Sequence, residues 1–293
     1  MRCLLVINMS CGNAQKVLNN RILYNLLAEK YGIVEKIIIS EYDKENFDFA
    51  EVCANYDALA VCGGDGTFNS AINATRNLDI DLIYVPCGTL NDAAHTLRSI
   101  EFEGLTDLSD RRIRQIDLGE INNTLFTYVA ACGTFTAIGY KAKSKSKKLL
   151  KRIIYYLHAI KEYRLAHIKA RIDLPDKTLE GEYTLIMVVK SKYVFGLGFN
   201  KLYKHNSGTG HLLLIKTPKG LFKLIKMFLL FFRAFFIGFK TQLDTKNIKF
   251  IEFEKVSIQL ESPEQFCVDG EELQLDGRND VGFYKKAVRI FIP

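Results

Sequence analysis

The segment DALAVCGGDGTFNSAINATRN, residues 57–77, decides the fold of the N-terminal half of this sequence. Its apolar start predicts a buried strand, and the run that begins at Phe68 predicts a helix. The adjacent Gly63 and Gly64 let the backbone come close to a bulky anion, and free amides at the start of a helix favour phosphate. The segment therefore predicts a strand, a phosphate-binding turn and a helix.

Polar residues of the same turn add chemistry to it. Asp65 supplies a carboxylate that can hold Mg²⁺ against phosphate oxygens, and Thr67 supplies a hydroxyl. An ordinary glycine turn is the alternative interpretation, and it becomes weaker once Asp, Gly and Thr follow the glycine pair. The chain contains neither the P-loop pattern G-x-x-x-x-G-K-[ST] nor the dinucleotide pattern G-x-G-x-x-G at this turn. A different phosphate loop is therefore predicted.

The flanking sequence has two rhythms. Over residues 1–117, short apolar runs alternate with helical stretches, which predicts a doubly wound, Rossmann-like α/β domain that binds a nucleotide. Over residues 118–280, strand-like stretches predict a β-sandwich-type domain for the substrate, with inserted helices near 147–163 and 221–239. The tail, 281–293, is expected to return to the first domain. The predicted fold class is α/β with a β-rich second domain.

Composition sets the broad class of protein. A chain of 293 residues with 48% hydrophobic residues can bury a large core. Its seven cysteines form no C-x-x-C pair, which predicts reduced thiols in the cytoplasm. The first apolar run is too short for a signal peptide. The net charge of +7 and the lysine-rich run 141–152 suggest an anionic partner, either a phospholipid surface or a nucleic acid, or else a solvated face.

A second turn of the same kind lies at PCGTLNDAAHTL, residues 86–97. Gly88 allows close approach of the backbone, and Thr89 offers a hydroxyl to a nucleotide. Asn91 or Asp92 suits the cap of the following helix, which is the default role of these residues before a helix.

Two further stretches are candidates for a site. In INMSCGN, Asn8, Ser10 and Gly12 are placed to form an anion-binding turn before the first long helix. In CVDGEEL, Asp269 and the glycine after it predict a hairpin turn with Glu271 on its solvent side.

Taken together, the G-G-D-G-T turn, the P-x-G-T-x-N-D turn about twenty residues later and the C-terminal D-G-E resemble the diacylglycerol kinase-like lipid kinases, the bacterial soluble type in particular. The order of IDLGEI and FTYVAACGTFTAIGY also follows that family. The resemblance implies an ATP-dependent lipid kinase that needs Mg²⁺. It implies that Glu271 is the general base, that Asp269 is a supporting acid, and that Asp65 is catalytic and binds Mg²⁺ through the nucleotide.

The resemblance also implies a set of nucleotide contacts, which includes a hydroxyl near the adenosine. These residues are Asn8, Ser10, Gly12, Ser40, Gly63, Gly64, Asp65, Gly66, Thr67, Asn69, Gly88, Thr89 and Asn91. Two departures from the family pattern affect the predictions. Met9 and Cys11 replace a proline and a serine in the first turn. Where the family has D-D-G at a structural Mg²⁺ site, this chain has HNSGTGHLLLI without a carboxylate, so no structural metal is assigned there.

The predicted function is transfer of the ATP γ-phosphate to a hydroxyl of diacylglycerol or a related lipid, by a cytoplasmic enzyme peripheral to the inner face of the membrane. An anionic membrane surface is the expected partner, a homodimer is one option for the assembly, and nucleic acid is not expected because no recognised module accompanies the charge. Two alternatives stay open, an NAD kinase-like enzyme and an inactive nucleotide- or membrane-binding regulator.

The stretch LFKLIKMFLLFFRAFFIGF, residues 221–239, has nearly the length of a membrane span, but three basic residues interrupt it. A helix packed in the core is the favoured interpretation. An interfacial helix that presents phenylalanines to lipid is the alternative, and the lysines near 141–152 would then add ~1 kcal/mol each at an anionic bilayer.

Overall fold

A computed structural model describes residues 1–19, 21–40, 47–88, 91–97, 112–134 and 165–292 of the chain. The chain divides into two compact units. The first consists of Met1–Leu118, Lys204–Gly208 and Tyr284–Pro293, and the second of Gly119–Tyr203 and Thr209–Phe283. The short segment Lys204–Gly208 is a part of the first unit that the rhythm of the sequence does not predict.

The first unit contains a parallel sheet with the strand order β4-β3-β1-β2, and the C-terminal end of β16 pairs parallel with β4 through Arg289 and Ile290. The strands are β1 (Arg2–Asn8), β2 (Ile33–Ile39), β3 (Ala58–Gly63) and β4 (Asp81–Pro86). The helices are α1 (Ala14–Asn19), α2 (Arg21–Tyr31), α3 (Phe49–Cys53), α4 (Asp65–Thr75) and α5 (Asp92–Leu97).

The strands of this sheet are apolar runs because helices cover it. All of β3 is buried, and so are six of the seven residues of β1. Side chains of α1 and α2, among them Val17, Leu23 and Leu27, join β1 and β3 in one apolar cluster. This burial agrees with the rule that parallel strands covered by crossover helices read as continuous hydrophobic runs.

The second unit is mainly antiparallel, in the order β11-β12-β10-β9-β8-β13-β16, with β7 paired to β9 and β14. The long β9 pairs with β8 along its first half and with β7 along its second half. The strands are β5 (Arg112–Ile121, shared between the units), β6 (Thr124–Phe126), β7 (Val129–Gly133), β8 (Ile168–Asp173), β9 (Thr178–Val189), β10 (Gly210–Lys216), β11 (Leu243–Asp244), β12 (Ile248–Phe253), β13 (Lys255–Leu260), β14 (Glu264–Val268), β15 (Glu271–Leu275) and β16 (Arg278–Ile292).

One helix interrupts the described strands of the second unit. It is α6 (Lys223–Phe232), continued by a π-helical turn, Arg233–Ile237. Only Met227, Phe231 and Ala234 of these fifteen residues are buried, so the helix differs from the favoured prediction of core packing. Its apolar residues surround the helix, and hydrophobicity alone did not distinguish the buried side from the exposed one.

No helix of the described part of the chain is long and apolar enough to cross a membrane. The helix predicted near 147–163 and the lysine-rich run 141–152 lie outside the described residues.

Candidate functional site

The candidate site of the first unit is the edge where β1, β3 and β4 end. Because these strands are parallel and adjacent, the turns that follow them meet at the same edge of the sheet, which is where open α/β sheets bind ligands. The turn after β1 begins at Met9, the turn after β3 contains Gly64, and the turn after β4 contains Gly88. The three sequence motifs of the N-terminal half are therefore neighbours in space.

Asn8 ties the first turn to the second. Its side-chain amide donates to the Thr67 hydroxyl at 2.8 Å, and its carbonyl oxygen accepts the backbone amide of Ser10 at 3.0 Å. Asn8 and Thr67 are both buried. An asparagine that uses donor and acceptor in this way fixes the first turn against the start of α4.

Gly64 and Gly88 bring the second and third turns into close contact. A Cβ atom added to Gly88 would lie 2.7 Å from the Cα atom of Gly64 and 2.8 Å from Oδ1 of Asn91. A Cβ added to Gly63 would lie 2.6 Å from Cβ of Thr67. Only glycine fits at Gly63 and Gly88 without displacement of the neighbouring turn.

Asp65 connects α4 to α5. One carboxylate oxygen accepts the backbone amide of Asp92 at 3.0 Å, and the other accepts that of Ala93 at 3.1 Å. The hydroxyl of the buried Tyr84 lies 3.4 Å from the second oxygen, and the Tyr84 ring stacks on Phe68 at 4.1 Å. Burial and the nearby Asp65 raise the pKa of Tyr84, so it stays a neutral donor.

Asn91 shapes the third turn. Its φ of 52° lies in the left-handed region that asparagine tolerates. Its side chain accepts the amide of Gly88 and donates to the Gly88 carbonyl, both at 3.0 Å. The adjacent Thr89, which the sequence predicts as a nucleotide contact, lies outside the described residues.

The other predicted nucleotide contacts lie around these turns. Ser40 follows β2 directly, next to Ile39, whose carbonyl accepts the amide of Met9 at 2.9 Å. A Cβ added to Gly12 meets no atom within 4 Å. Asn69 is buried in α4, where it accepts the side-chain amide of Asn73 at 3.1 Å and so faces its own helix.

The edge of the sheet has the features that a nucleotide phosphate requires. Gly64 is the N-cap of the eleven-residue α4 and makes no side-chain cap bond, so the positive end of the helix is available to an anion. Gly66 and Thr67 follow in its first turn. Among the described residues no cluster of three metal-ligating side chains occurs, and Asp65 as a Mg²⁺ ligand stays a prediction.

In the second unit, Asp269 and Gly270 form the two-residue turn of the β14–β15 hairpin. Val268 pairs with Glu271, and both turn residues have positive φ, 48° and 95°. This is the backbone of a type I′ turn, which Asp-Gly favours. Glu271 is exposed immediately after the turn.

The carboxylate of Asp269 is buried and anchors the hairpin. It accepts the amide and the hydroxyl of Thr127 and the amides of Tyr128 and Val129, the last two at 3.0 and 2.9 Å. Burial raises the pKa of Asp269, and these hydrogen bonds partly offset the increase. Asp269 therefore positions Glu271, since it fixes the turn from which Glu271 extends.

Comparison with known proteins decides the family of this fold. Residues 2–121 match the diacylglycerol kinase catalytic domain family. The similarity to that family therefore covers the part of the chain that contains the three turns. The chain is 28% identical over 226 residues to diacylglycerol kinase from Bacillus subtilis, an alignment that covers 74% of this chain and 71% of that protein. It is 30% identical over 154 residues to diacylglycerol kinase from Staphylococcus saprophyticus, and this alignment covers 50% of each of the two chains.

A solved structure shows the same fold as this diacylglycerol kinase-like chain. The crystal structure of a diacylglycerol kinase from Bacillus anthracis superposes with a TM-score of 0.73 at 20% identity and covers 100% of this chain and 97% of that one. The predictions of family, α/β fold class and ATP-dependent lipid kinase are confirmed. The family also favours a lipid kinase over the NAD kinase alternative.

Sequence reasoning missed one residue of the catalytic domain. The carboxylate of Asp117 accepts the amide of Gly208 at 2.7 Å and that of Lys286 at 3.0 Å, so it holds two distant segments of the first unit beside β5. Nearby, Asn206 donates to the carbonyl of Gln115 at 2.8 Å. The signal was the aspartate inside the apolar IDLGEI, because a buried carboxylate needs donors that a strand alone does not supply.

Proposed function

We propose that this protein transfers the γ-phosphate of ATP to a hydroxyl of diacylglycerol or a closely related lipid, as a cytoplasmic enzyme peripheral to an anionic membrane. The observation that carries the proposal is the convergence of three turns at one edge of the sheet, joined by the Asn8–Thr67 bond and by the bonds of Asp65 to the start of α5. This edge belongs to a diacylglycerol kinase catalytic domain.

The glycine turns supply the phosphate site. Gly64 and Gly88 carry no side chain where the two turns approach each other, so the turns pack closely beside the N-terminus of α4, whose amides would bind phosphate oxygens. Mg²⁺ held by Asp65 would neutralise charge on the phosphoryl oxygens, which is the main source of catalysis in phosphoryl transfer. Asp65 has a second role in this proposal, because its bonds to Asp92 and Ala93 set the position of the third turn.

Glu271 is the proposed general base. A lipid hydroxyl is a poor nucleophile, and a carboxylate within hydrogen-bond reach accepts its proton as the oxygen bonds to the γ-phosphorus. The bond from the γ-phosphorus to the bridging oxygen then breaks, and ADP leaves. An exposed carboxylate on a turn fixed by a buried Asp269 suits this task, since its position is set while its oxygens remain accessible.

The test measures transfer of labelled γ-phosphate from ATP with Mg²⁺ to diacylglycerol, phosphatidylglycerol, a sphingoid base and NAD, with lipids in mixed micelles. The expected product is labelled lipid, lost at least ~100-fold in Glu271→Gln because a general base contributes about that much or more. The matched control is Glu272→Gln, a neighbouring exposed carboxylate that accepts a bond from Gln265. Label in NADP would favour the NAD kinase alternative, and no transfer at all would favour the regulator.

A further inference from the structure

The helix α6 and the π-helical turn after it carry an apolar surface that faces away from the protein. Nine of the sixteen exposed large apolar side chains of the described residues lie between Leu221 and Ile237. They are Leu221, Phe222, Leu224, Ile225, Phe228, Leu229, Phe232, Phe236 and Ile237. Such a concentration on one element is unusual on a surface that only contacts water. We call residues 221–237 the α6 ridge.

Three phenylalanines form a stacked row on the exposed side of the ridge. The ring centroids of Phe228 and Phe232 are 6.2 Å apart, and those of Phe232 and Phe236 are 5.3 Å apart. Spacings of four residues place these rings on one side of a helix. The row is 42–50% exposed, although aromatic side chains of this size are normally among the most buried in a protein.

The opposite side of the ridge is fixed to the second unit. Met227, Phe231 and Ala234 are buried, and Phe235 contacts Phe199 at 5.2 Å between centroids. These contacts hold the ridge as a rigid element and not as a loose segment. The exposed row is therefore presented in a defined direction.

The chain is turned sharply where the ridge ends. Gly238 has a φ of 72°, and a Cβ atom there would lie 2.5 Å from the Phe199 carbonyl oxygen. Arg233 donates to the Gly238 carbonyl at 2.6 Å and lies over the Phe239 ring. The fold thus fixes both the packed side of the ridge and its C-terminal end.

The segment that contains the ridge is basic, and within it Lys219 pairs with Glu182 of β9 at 3.6 Å. Residues 216–240 contain six basic residues and no acidic residue. Lys223, Lys226 and Lys240 are exposed, and Lys223 and Lys226 belong to the first turn of α6. An exposed apolar row on a helix with exposed lysines complements a bilayer that has an apolar interior and an anionic surface.

The length of the ridge defines how it meets a bilayer. Ten α-helical residues extend about 15 Å, roughly half of the hydrocarbon thickness of a membrane. A helix of that length lies in the interface plane with its apolar side in the headgroup and acyl boundary.

We propose that the α6 ridge is the docking surface for an anionic bilayer, with Phe228, Phe232 and Phe236 inserted and Lys223 and Lys226 on lipid phosphates. The inference rests on the proposed function, because that function requires a lipid acceptor, and this lipid would lie in the bilayer that the ridge contacts. It assigns membrane contact to a surface formed by one helix, separate from the phosphate turns.

The first test uses the absence of tryptophan from the chain. Phe232→Trp places a single tryptophan on the ridge, which is excited selectively over the tyrosines, and Ile22→Trp, at a residue 52% exposed in α2, gives the matched control. With vesicles of phosphatidylglycerol and phosphatidylcholine, the emission of Phe232→Trp is expected to shift to the blue and to be quenched by brominated acyl chains. Ile22→Trp is expected to show neither change. Equal responses of the two variants, or no response of Phe232→Trp, would overturn the proposal.

The second test measures co-sedimentation with vesicles, which needs no activity. Replacing Phe228 and Phe232 by serine is expected to weaken binding about tenfold or more, whereas Ile22→Ser leaves it unchanged. Lys223→Gln and Lys226→Gln are each expected to weaken binding to anionic vesicles about fivefold, without effect on neutral vesicles. Unchanged binding of the serine variant overturns the inference. A second outcome also overturns it: the wild-type protein is a dimer, the serine variant is a monomer, and vesicle binding is unchanged. The ridge would then be an interface between copies of the chain.

Kinase assays separate this inference from the proposed function. The serine variant is expected to lose activity on diacylglycerol in anionic vesicles and to keep wild-type kcat/KM on a short-chain diacylglycerol dispersed below its critical micelle concentration. Equal loss on both substrates would overturn the docking role. If the wild-type protein phosphorylates neither substrate, the proposed function fails, while the fluorescence and sedimentation results still decide whether the ridge binds the bilayer.

Discussion

Asp65 accepts the backbone amide of Asp92 at 3.0 Å, so the first residue of α4 holds the first residue of α5. The second carboxylate oxygen accepts the amide of Ala93. Asp65 thus has structural partners without any nucleotide, so its proposed metal role and its positioning role can be measured separately.

We expect Asp65→Asn to lower the free energy of unfolding by about 1–3 kcal/mol in the absence of ATP and Mg²⁺, because an NH₂ group then faces a backbone amide that has lost its acceptor. The measurement is urea unfolding of the protein without ligands. Asp79→Asn, at a residue 90% exposed, should change stability by less than ~0.5 kcal/mol. Full stability of Asp65→Asn together with lost activity would limit Asp65 to metal binding.

The two glycines at the contact of the turns should respond differently to alanine. In Gly88→Ala the new Cβ meets Gly64 at 2.7 Å, whereas in Gly64→Ala it would lie 3.5 Å from Gly88, an ordinary contact. We therefore expect Gly88→Ala to lower the melting temperature by several degrees and Gly64→Ala to change it little.

Both alanine variants should bind ATP more weakly, since each adds a methyl group between two turns of the proposed phosphate site. Isothermal titration with ATP measures this effect. Gly282→Ala, in β16, is the control for added volume, because its Cβ would meet no atom closer than 3.9 Å. Wild-type ATP affinity in Gly64→Ala would contradict the proposed phosphate site.

The parts of the fold that the sequence predicts are those with local causes. Buried parallel strands need continuous apolar runs, so β1, β3 and β4 were visible as CLLVI, DALAVC and DLIYVP. The glycine pair after β3 and the Gly-Thr sequence after β4 predicted the turns there. The run 14–30 predicted a helix, and its described residues are helical, in α1 and α2.

Contacts between distant residues were not predictable in the same way. The partners of Asp65 lie 27 and 28 residues away, and those of Asp117 lie 91 and 169 residues away. Such pairings depend on how strands are arranged in the sheet, which no short pattern contains. The exposed side of α6 was equally hidden, because apolar residues occupy both its packed side and most of its exposed side.

The buried carboxylate of Asp269 predicts a pH-dependent stability. Asp269→Asn should destabilise the protein by about 2–4 kcal/mol at neutral pH, because its NH₂ group would face the donors of Thr127, Tyr128 and Val129. Activity should fall with it, since the turn that carries Glu271 loses its anchor.

The sign of the pH effect follows from the pKa. Burial raises the pKa of folded Asp269 above the unfolded value of about 3.9, so its protonated form favours folding. This contribution is complete below the unfolded pKa and is lost as pH rises through the folded pKa. Urea unfolding at several pH values from 4 upward should show the loss in the wild-type protein. The Asn variant should lack that component, and identical pH profiles would contradict the assignment.

The seven cysteines predict a simple pattern of thiol reactivity. Six are buried and Cys11, in the turn after β1, is partly exposed. Burial raises the pKa of Cys3 to about 12 and that of Cys267 to about 11, and a thiol reacts only as the thiolate. At pH 8 a disulfide reagent should therefore modify one thiol of the folded protein rapidly. After unfolding it should modify all seven.

Cys11→Ser should abolish the rapid reaction with the disulfide reagent, and Cys53→Ser should leave that reaction intact. This pair of results would assign the reactive thiol to the first turn. Saturating ATP should slow the reaction of Cys11 several-fold if phosphate occupies that turn, because the bound anion blocks the reagent and disfavours a thiolate beside it. An unchanged rate with ATP bound would show that nucleotide contacts end at the Asn8–Thr67 link and that the residues after it, Ser10 and Gly12, do not reach the phosphates.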